Sequence, residues 1–118
     1  MGIDDYAPSA YDEEGEYTRL RAMEAGDDPE TFASFARLGL TGPFNAPAEV
    51  GVGAGGVAEW MAARLAPGAR ITIVDFDPRF VPRMALYDPE VVVADIVEVD
   101  LEPRHDLIHC RYVLQHVA

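Results

Sequence analysis

The sequence contains no lysine, and its nine basic residues, all arginine, are set against 21 acidic ones, for a formal net charge of −12 at pH 7. The arginines are not gathered into a basic stripe of the kind that neutralises the phosphates of a nucleic acid. Residues 1–30 hold ten of the acids and two of the arginines, a distribution typical of a solvated face or a loose tail. We therefore expect no nucleic-acid partner.

Cysteine and long apolar runs are equally scarce. The one cysteine, Cys110, cannot form a disulfide within the chain, which favours a cytoplasmic location. No apolar run approaches the roughly 20 residues that a membrane-spanning helix needs, and the acidic N-terminus lacks the apolar core of a signal peptide. No spacing of His, Cys and Asp is typical of a metal site. We expect neither a membrane association nor a bound metal.

The composition is that of one folded domain, because 49% of the 118 residues are hydrophobic. We expect residues 1–14 to form a loose acidic N-terminus and residues 15–118 to form the domain. In the first part of that domain, apolar residues recur at three- and four-residue spacings, a pattern that predicts helices.

Local signals divide this N-terminal segment into two predicted helices. The first, over residues 12–25, ends at Gly26. The second begins with Asp28 as its cap and Pro29 at its first helical position, and it ends at Gly39. These boundaries rest on cap, proline and glycine preferences alone.

After residue 47 the pattern changes to short apolar runs that alternate with helical segments. Near-continuous apolar strands alternating with helices are typical of a parallel sheet covered on both faces. The sequence therefore predicts an α/β fold with a Rossmann-like, mostly parallel sheet of about four strands, preceded by N-terminal helices. The ligand crevice of such a sheet lies at the carboxyl ends of its strands. The predicted strands are 48–52, 70–76, 90–96 and 105–111, and the predicted helices are 56–65, a short one over 78–88 interrupted by Pro82, and a last one from 111.

The stretch "EVGVGAGG" after the first of these strands fits two ligand-binding patterns. Gly51, Gly53 and Gly56 give G-x-G-x-x-G, the dinucleotide fingerprint. Glu49, Gly51, Gly53 and Gly55 give E-x-G-x-G-x-G, the first motif of class I S-adenosylmethionine-dependent methyltransferases. Glycine suits such a loop because it tolerates positive φ and lets a ligand approach the bare backbone. The pattern leaves both ligands open.

Asp75 stands at the end of the second predicted strand, about twenty residues beyond the loop, where both patterns place an acid. One carboxylate can accept hydrogen bonds from the two vicinal hydroxyls of a ribose. This residue therefore supports either ligand and does not choose between them.

Several segments together resemble the small-molecule type of class I methyltransferase. They are "EVGVGAGGVAEWMA" (49–62), "VDFDPRF" (74–80), "DLIHCRYVLQHV" (106–117) and "DPETFASFARLGL" (28–40). The resemblance covers roughly residues 15–118. It implies methyl transfer from S-adenosyl-L-methionine to a small-molecule acceptor, or the cofactor-binding portion of such an enzyme.

The resemblance also implies a role for particular residues. The loop would lie under the methionine part of the cofactor, ordered by Glu49, and Asp75 would hold the ribose hydroxyls. Phe76 and Ile96 would pack on the two faces of the adenine, and Asp95 would accept from its amino group. Cys110 and Arg111 would line the methionine end. The implied cofactor residues are Glu49, Gly51, Gly53, Gly55, Asp75, Phe76, Asp95, Ile96, Cys110 and Arg111.

The chain departs from that family in length, since complete members have seven strands and this sequence supplies four. We expect a chain truncated after the fourth strand, with that strand as an unpaired edge that a homodimer or a partner chain would cover. No catalytic residue is evident: His105, His109 and His116 are candidates by type only, and Cys110 is expected to be a buried small residue rather than a nucleophile. Two alternatives stay open, an NAD-binding oxidoreductase fragment and a non-catalytic, degenerate methyltransferase-like partner module.

Overall fold

The computed structural model describes residues 12–95 and 104–110, so the predicted C-terminal helix and the positions Ile96, Arg111 and His116 lie outside the described residues. Two helices, four strands and one 3₁₀ turn make up the described part of the chain. In order they are α1 (Glu13–Arg37), β1 (Pro47–Val50), α2 (Gly56–Ala62), β2 (Thr72–Asp75), the 3₁₀ turn (Val81–Arg83), β3 (Glu90–Val93) and β4 (Leu107–Cys110).

The four strands form one sheet in the order β3-β2-β1-β4, and every neighbouring pair is parallel. The chain passes outward from β1 to β2 and β3, then returns to the other side of β1 at β4. This reversal makes the carboxyl ends of β1 and β4 a topological switch point, where α/β sheets bind their ligands. The predicted α/β fold with a parallel, Rossmann-like sheet is confirmed, and β4 lies at an edge of the described sheet.

The pairing of β1 with β4 is fixed at its start by Asp106. Its carboxylate accepts hydrogen bonds from the backbone N–H groups of Asn45 at 2.7 Å and Ala46 at 2.9 Å. Burial acts to raise the pKa of Asp106, but these donors outweigh it and hold the pKa below its ordinary value. The carboxylate thus joins two segments that are 60 residues apart in the chain.

Helix α1 corrects the prediction of two N-terminal helices. It runs without a break over 25 residues, through both Gly26 and Pro29, and Asp12 rather than Asp28 caps its N-terminus. It starts at Glu13, two residues inside the segment predicted to be loose. Asp28 is instead buried on the inner side of the helix. The local stop signals are overridden because one continuous face of α1 packs against the rest of the domain.

Both helices cover the sheet face that carries Ile73. Phe35 of α1 and Met61 of α2 share one apolar cluster with Ile73, and all three are at least nine-tenths buried. Trp60 lies between two rings of α1, with centroid distances of 5.2 Å to Phe32 and 5.1 Å to Phe35. Trp60 is partly buried and packs against this cluster, at the margin of the core in which it was expected. No helix in the described ranges is both long and apolar enough to cross a membrane.

The continuity of α1 predicts that Gly26→Ala stabilises the protein. Gly26 has helical backbone and open space around the position of a Cβ, so alanine should raise the free energy of unfolding by about 0.5–1 kcal/mol. Urea denaturation measures the change. Gly39→Ala is the matched control, because Gly39 follows the helix with φ +72° and alanine there should destabilise. A loss of stability in Gly26→Ala would mean that the helix ends at Gly26 after all.

Candidate ligand-binding site at the glycine loop

The predicted glycine loop connects β1 to α2 at the switch point. Gly51, Gly53 and Gly55 have φ values of +74°, +59° and +98°, a region that residues with a Cβ rarely adopt. The Gly51 N–H donates to the carbonyl of Val74 at the end of β2, over 2.8 Å. Three of the predicted motif glycines are therefore required by the path of the backbone itself.

Asp75, the last residue of β2, lies against this loop. Its Oδ2 accepts from the Val52 N–H at 2.8 Å, and its Oδ1 accepts from the Asp77 N–H at 2.9 Å. Burial raises the pKa of the Asp75 carboxyl above its ordinary value, and the N–H donors only partly offset that effect. A carboxylate oxygen can accept more than one hydrogen bond, so both oxygens can still accept from a ligand.

A second carboxylate, Glu24 of α1, reaches the same loop and was not anticipated from the sequence. Its Oε2 accepts from the Ala54 N–H at 2.8 Å, and its Oε1 accepts from the Gly56 N–H at 2.9 Å. Burial raises the pKa of Glu24, although the two N–H donors act in the opposite direction. The available signal was its spacing: it follows Tyr17 by seven positions and Leu20 by four, and so shares their apolar face.

Two of the loop glycines leave room for side chains of the protein. Gly56 has ordinary helical backbone, but a Cβ on it would lie 2.7 Å from Glu24 Oε1 and even closer to the Asp28 carboxylate. A Cβ on Gly55 would lie 2.6 Å from Cγ of Met84. Close approach of the protein's own side chains thus explains glycine at these two positions.

The connection from β2 to β3 packs over the loop and ties it to both helices. Met84 contacts Gly55, and the Ala85 N–H donates to Oε2 of Glu59 on α2 at 2.8 Å. Arg83 pairs with Glu14 of α1 and lies over the Tyr17 ring. The helix predicted here shortens to the 3₁₀ turn that contains Pro82.

Glu49 faces the helices rather than the open end of the loop. It is only 3% exposed, and its carboxylate oxygens lie 2.9 and 3.1 Å from Nδ1 of His109 on β4. The register pairs these two residues side by side, and the ring of Phe35 meets His109 edge-on at 5.5 Å. In this arrangement the ring N–H donates to the carboxylate. His109 is therefore engaged beneath α1.

The other described site candidates lie along the carboxyl edge of the sheet. Phe76 follows β2 and Asp95 follows β3, and both are partly exposed. Cys110 ends β4 and is exposed, so the expectation of a buried cysteine was wrong. Cys110 points to the opposite face from its neighbour His109, and it belongs to an edge strand of the described sheet. Within residues 12–95 and 104–110, no three His, Cys, Asp or Glu side chains are grouped to hold a metal ion.

The parallel sheet, its switch point and the glycine loop define a Rossmann-like α/β domain. A family model described as a methyltransferase domain matches residues 48–118, which is more than half of the chain. The chain belongs to this methyltransferase domain family. The match begins at the start of the sheet and leaves α1 outside it. Neither the curated proteins nor the solved structures gave a match to this chain.

The pairing of Glu49 with His109 predicts that His109→Phe destabilises the domain. Phenylalanine keeps an aromatic ring beside Phe35 but removes the donor to a buried carboxylate, which should cost about 1–3 kcal/mol of unfolding free energy. Urea denaturation at pH 7 measures it. His105→Phe is the control, because that ring contacts only the backbone carbonyl of Ala46 in the described hydrogen bonds. Equal losses in the two variants would contradict a special role for the Glu49 pairing.

Proposed function

We propose that this domain binds S-adenosyl-L-methionine and carries out methyl transfer to a small-molecule acceptor. The observation that carries the proposal is the chemistry of the glycine loop. Carboxylates, and not cations, meet its backbone: Asp75 from β2 and Glu24 from α1 both accept from loop N–H groups. Membership of a methyltransferase domain family supports the same reading.

The same carboxylates argue against a dinucleotide. A pyrophosphate on a Rossmann fold is bound by free N–H groups at the glycine loop and helix start. Here the N–H groups of Ala54 and Gly56 already donate to Glu24, so a phosphate would have to displace a like charge. S-adenosylmethionine has no phosphate, and its sulfonium and ammonium groups make it a net cation despite its one carboxylate.

The arginine nearest to Asp75 in sequence is also engaged elsewhere. Arg79 lies 3.5 Å from the carboxylate of Asp77, and its guanidinium stands over the Phe80 ring at 4.9 Å. It is thus held by its own loop, which weakens the case for the 2′-phosphate of NADP. A carboxylate with spare lone pairs, as at Asp75, suits an unmodified ribose.

The residues at the strand ends would divide the work of holding the cofactor. Asp75 would accept from the ribose hydroxyls, Phe76 and Ile96 would pack on the adenine, and Asp95 would accept from its amino group. The loop from Gly51 to Gly55 would lie under the methionine part, with Cys110 and Arg111 at its end. The bound cofactor supplies an activated methyl group. The part of this chain is to bind and orient it, because displacement at a methyl carbon depends on the alignment of the reactants.

The proposal predicts micromolar binding of S-adenosylhomocysteine to the purified chain by isothermal titration calorimetry, with no binding of NAD in parallel. Asp75→Ala should lose about 2–4 kcal/mol of binding free energy if both ribose hydrogen bonds are buried, a weakening of roughly 30- to 700-fold. Asp77→Asn is the matched control, since its carboxylate pairs with Arg79. Binding of NAD alone would overturn the proposal, and binding of neither ligand by a folded chain would favour a degenerate module.

The raised pKa of Asp75 adds a prediction about pH. The ionised carboxylate accepts both hydroxyls, so affinity for S-adenosylhomocysteine should fall as the pH drops through a value above the ordinary 3.8 of Asp. Asp75→Asn should weaken binding at pH 7 and remove this part of the pH dependence. The test is calorimetry at pH values from 7 down to the start of acid unfolding, which circular dichroism detects. An unchanged pH profile in Asp75→Asn would place the ribose elsewhere.

A further inference from the structure

We infer that Glu24 of α1 is a positioning residue that holds the glycine loop in the conformation that receives the cofactor. It accepts from two loop N–H groups at once, at 2.8 and 2.9 Å, across a separation of 30 and 32 residues in the chain. The effect on the loop is independent of any ligand. Its consequence for cofactor binding rests on the proposed function.

The loop offers no side-chain cap at this end. Gly55 occupies the N-cap position of α2 and has no side chain with which to accept from the first turn. The Glu24 carboxylate supplies that acceptor from another helix. A buried N–H group without an acceptor is destabilising, so this contact favours one loop conformation over others.

Glu24 is buried among other charged groups of the two helices. Arg21 on the same helix lies 3.7 Å from Glu24 and 3.8 Å from Glu59 of α2, and so links the two helices. Asp28, one turn further along α1, approaches Gly56 beside it. The charged groups around Glu24 are thus Arg21 and Asp28 from α1 and, through Arg21, Glu59 from α2. Only 9% of Glu24 is exposed, so water is poorly placed to replace it.

Glu24 lies outside the segment that matches the family, which begins at residue 48. The loop glycines and Asp75 therefore belong to the matched part of the chain, whereas the acid that fixes the loop belongs to α1. Changing Glu24 alters the position of the loop without touching the predicted ribose or adenine contacts. This separation makes the role testable.

Glu24→Gln is the test, with Glu16→Gln as the matched control. Glutamine has one acceptor oxygen, and its NH₂ group would face a second donor. Glu16 is a buried acid of the same helix, 1% exposed, whose carboxylate pairs with Arg19 at 2.7 Å. We measure the amide exchange rates of Ala54 and Gly56 by NMR in the ligand-free protein. These rates should increase tenfold or more in Glu24→Gln but not in Glu16→Gln. Affinity for S-adenosylhomocysteine should fall tenfold or more in Glu24→Gln.

A pH titration separates positioning from general stability. In the wild type, the amide signals of Ala54 and Gly56 should follow a titration with a midpoint above 4.5, the ordinary value for Glu. Glu24→Gln should abolish this titration, and Glu16→Gln should keep it. A carboxyl with a raised folded pKa stabilises the fold most below its unfolded pKa and loses that contribution as the pH rises. Removing the titrating group therefore does not by itself predict a loss of stability at pH 7.

A double-mutant cycle gives a second, independent measurement. Gly56→Ala should displace the Glu24 carboxylate, because the new Cβ would lie 2.7 Å from its Oε1. In an Asp28→Ala background, which removes the carboxylate that is closer still to this Cβ, we expect Gly56→Ala to weaken binding tenfold, but less than threefold when Glu24→Ala is also present, since the contact with Glu24 is then already lost. Fully multiplicative losses would show that the two residues act separately and would overturn the inference.

The outcomes distinguish this inference from the proposed function. Unchanged exchange of Ala54 and Gly56 in Glu24→Gln would overturn the inference whether or not the chain binds a cofactor. If exchange is faster in Glu24→Gln but the wild-type protein does not bind S-adenosylhomocysteine, the role of Glu24 in the loop is supported and the proposed function is rejected. Faster exchange with unchanged affinity would show that Glu24 fixes the loop without serving the cofactor, which would overturn the positioning role.

Discussion

The site depends on one kind of interaction, a buried carboxylate that accepts backbone N–H groups at the glycine loop. Asp75 holds the loop from the sheet side through Val52, and Glu24 holds it from the helix side through Ala54 and Gly56. Both carboxyls have raised pKa values because burial disfavours their charge. The hydrogen bonds offset part of that cost, so the loop and its acids stabilise one another.

This dependence explains the other elements near the loop. Helix α1 stays continuous through Gly26 and Pro29, and its inner face presents both Glu24 and Asp28. The absence of a Cβ at Gly56 lets these acids approach, and Met84 fills the space above Gly55. Contacts inside the protein therefore account for glycine at Gly55 and Gly56.

Whether a feature could be predicted from the sequence depends on how far apart in the chain the interacting residues lie. The strands, the loop glycines and Asp75 were predictable because a strand, a tight turn and a helix follow one another within about 30 residues. The continuity of α1 was not, because local signals at Gly26 and Pro29 favour a break that tertiary packing overrides. Glu24 was one of many N-terminal acids expected to be solvated. The exposure of Cys110 depends on the position of β4 at the edge of the described sheet, which only the assembled sheet defines.

The Asp106 contact has a consequence for the order of folding. It joins β4 to the start of β1 across 60 residues, whereas the β1–α2–β2 unit forms from adjacent segments. Closing the longer loop costs more chain entropy. The contacts of β4 can offset that cost only after the β1–α2–β2 unit has formed. We expect β4 to dock late, so the switch point is assembled after the glycine loop. An intermediate without β4 would already contain the glycine loop, but β1 would still have an unpaired edge. That exposed edge would make the intermediate prone to pair with other chains.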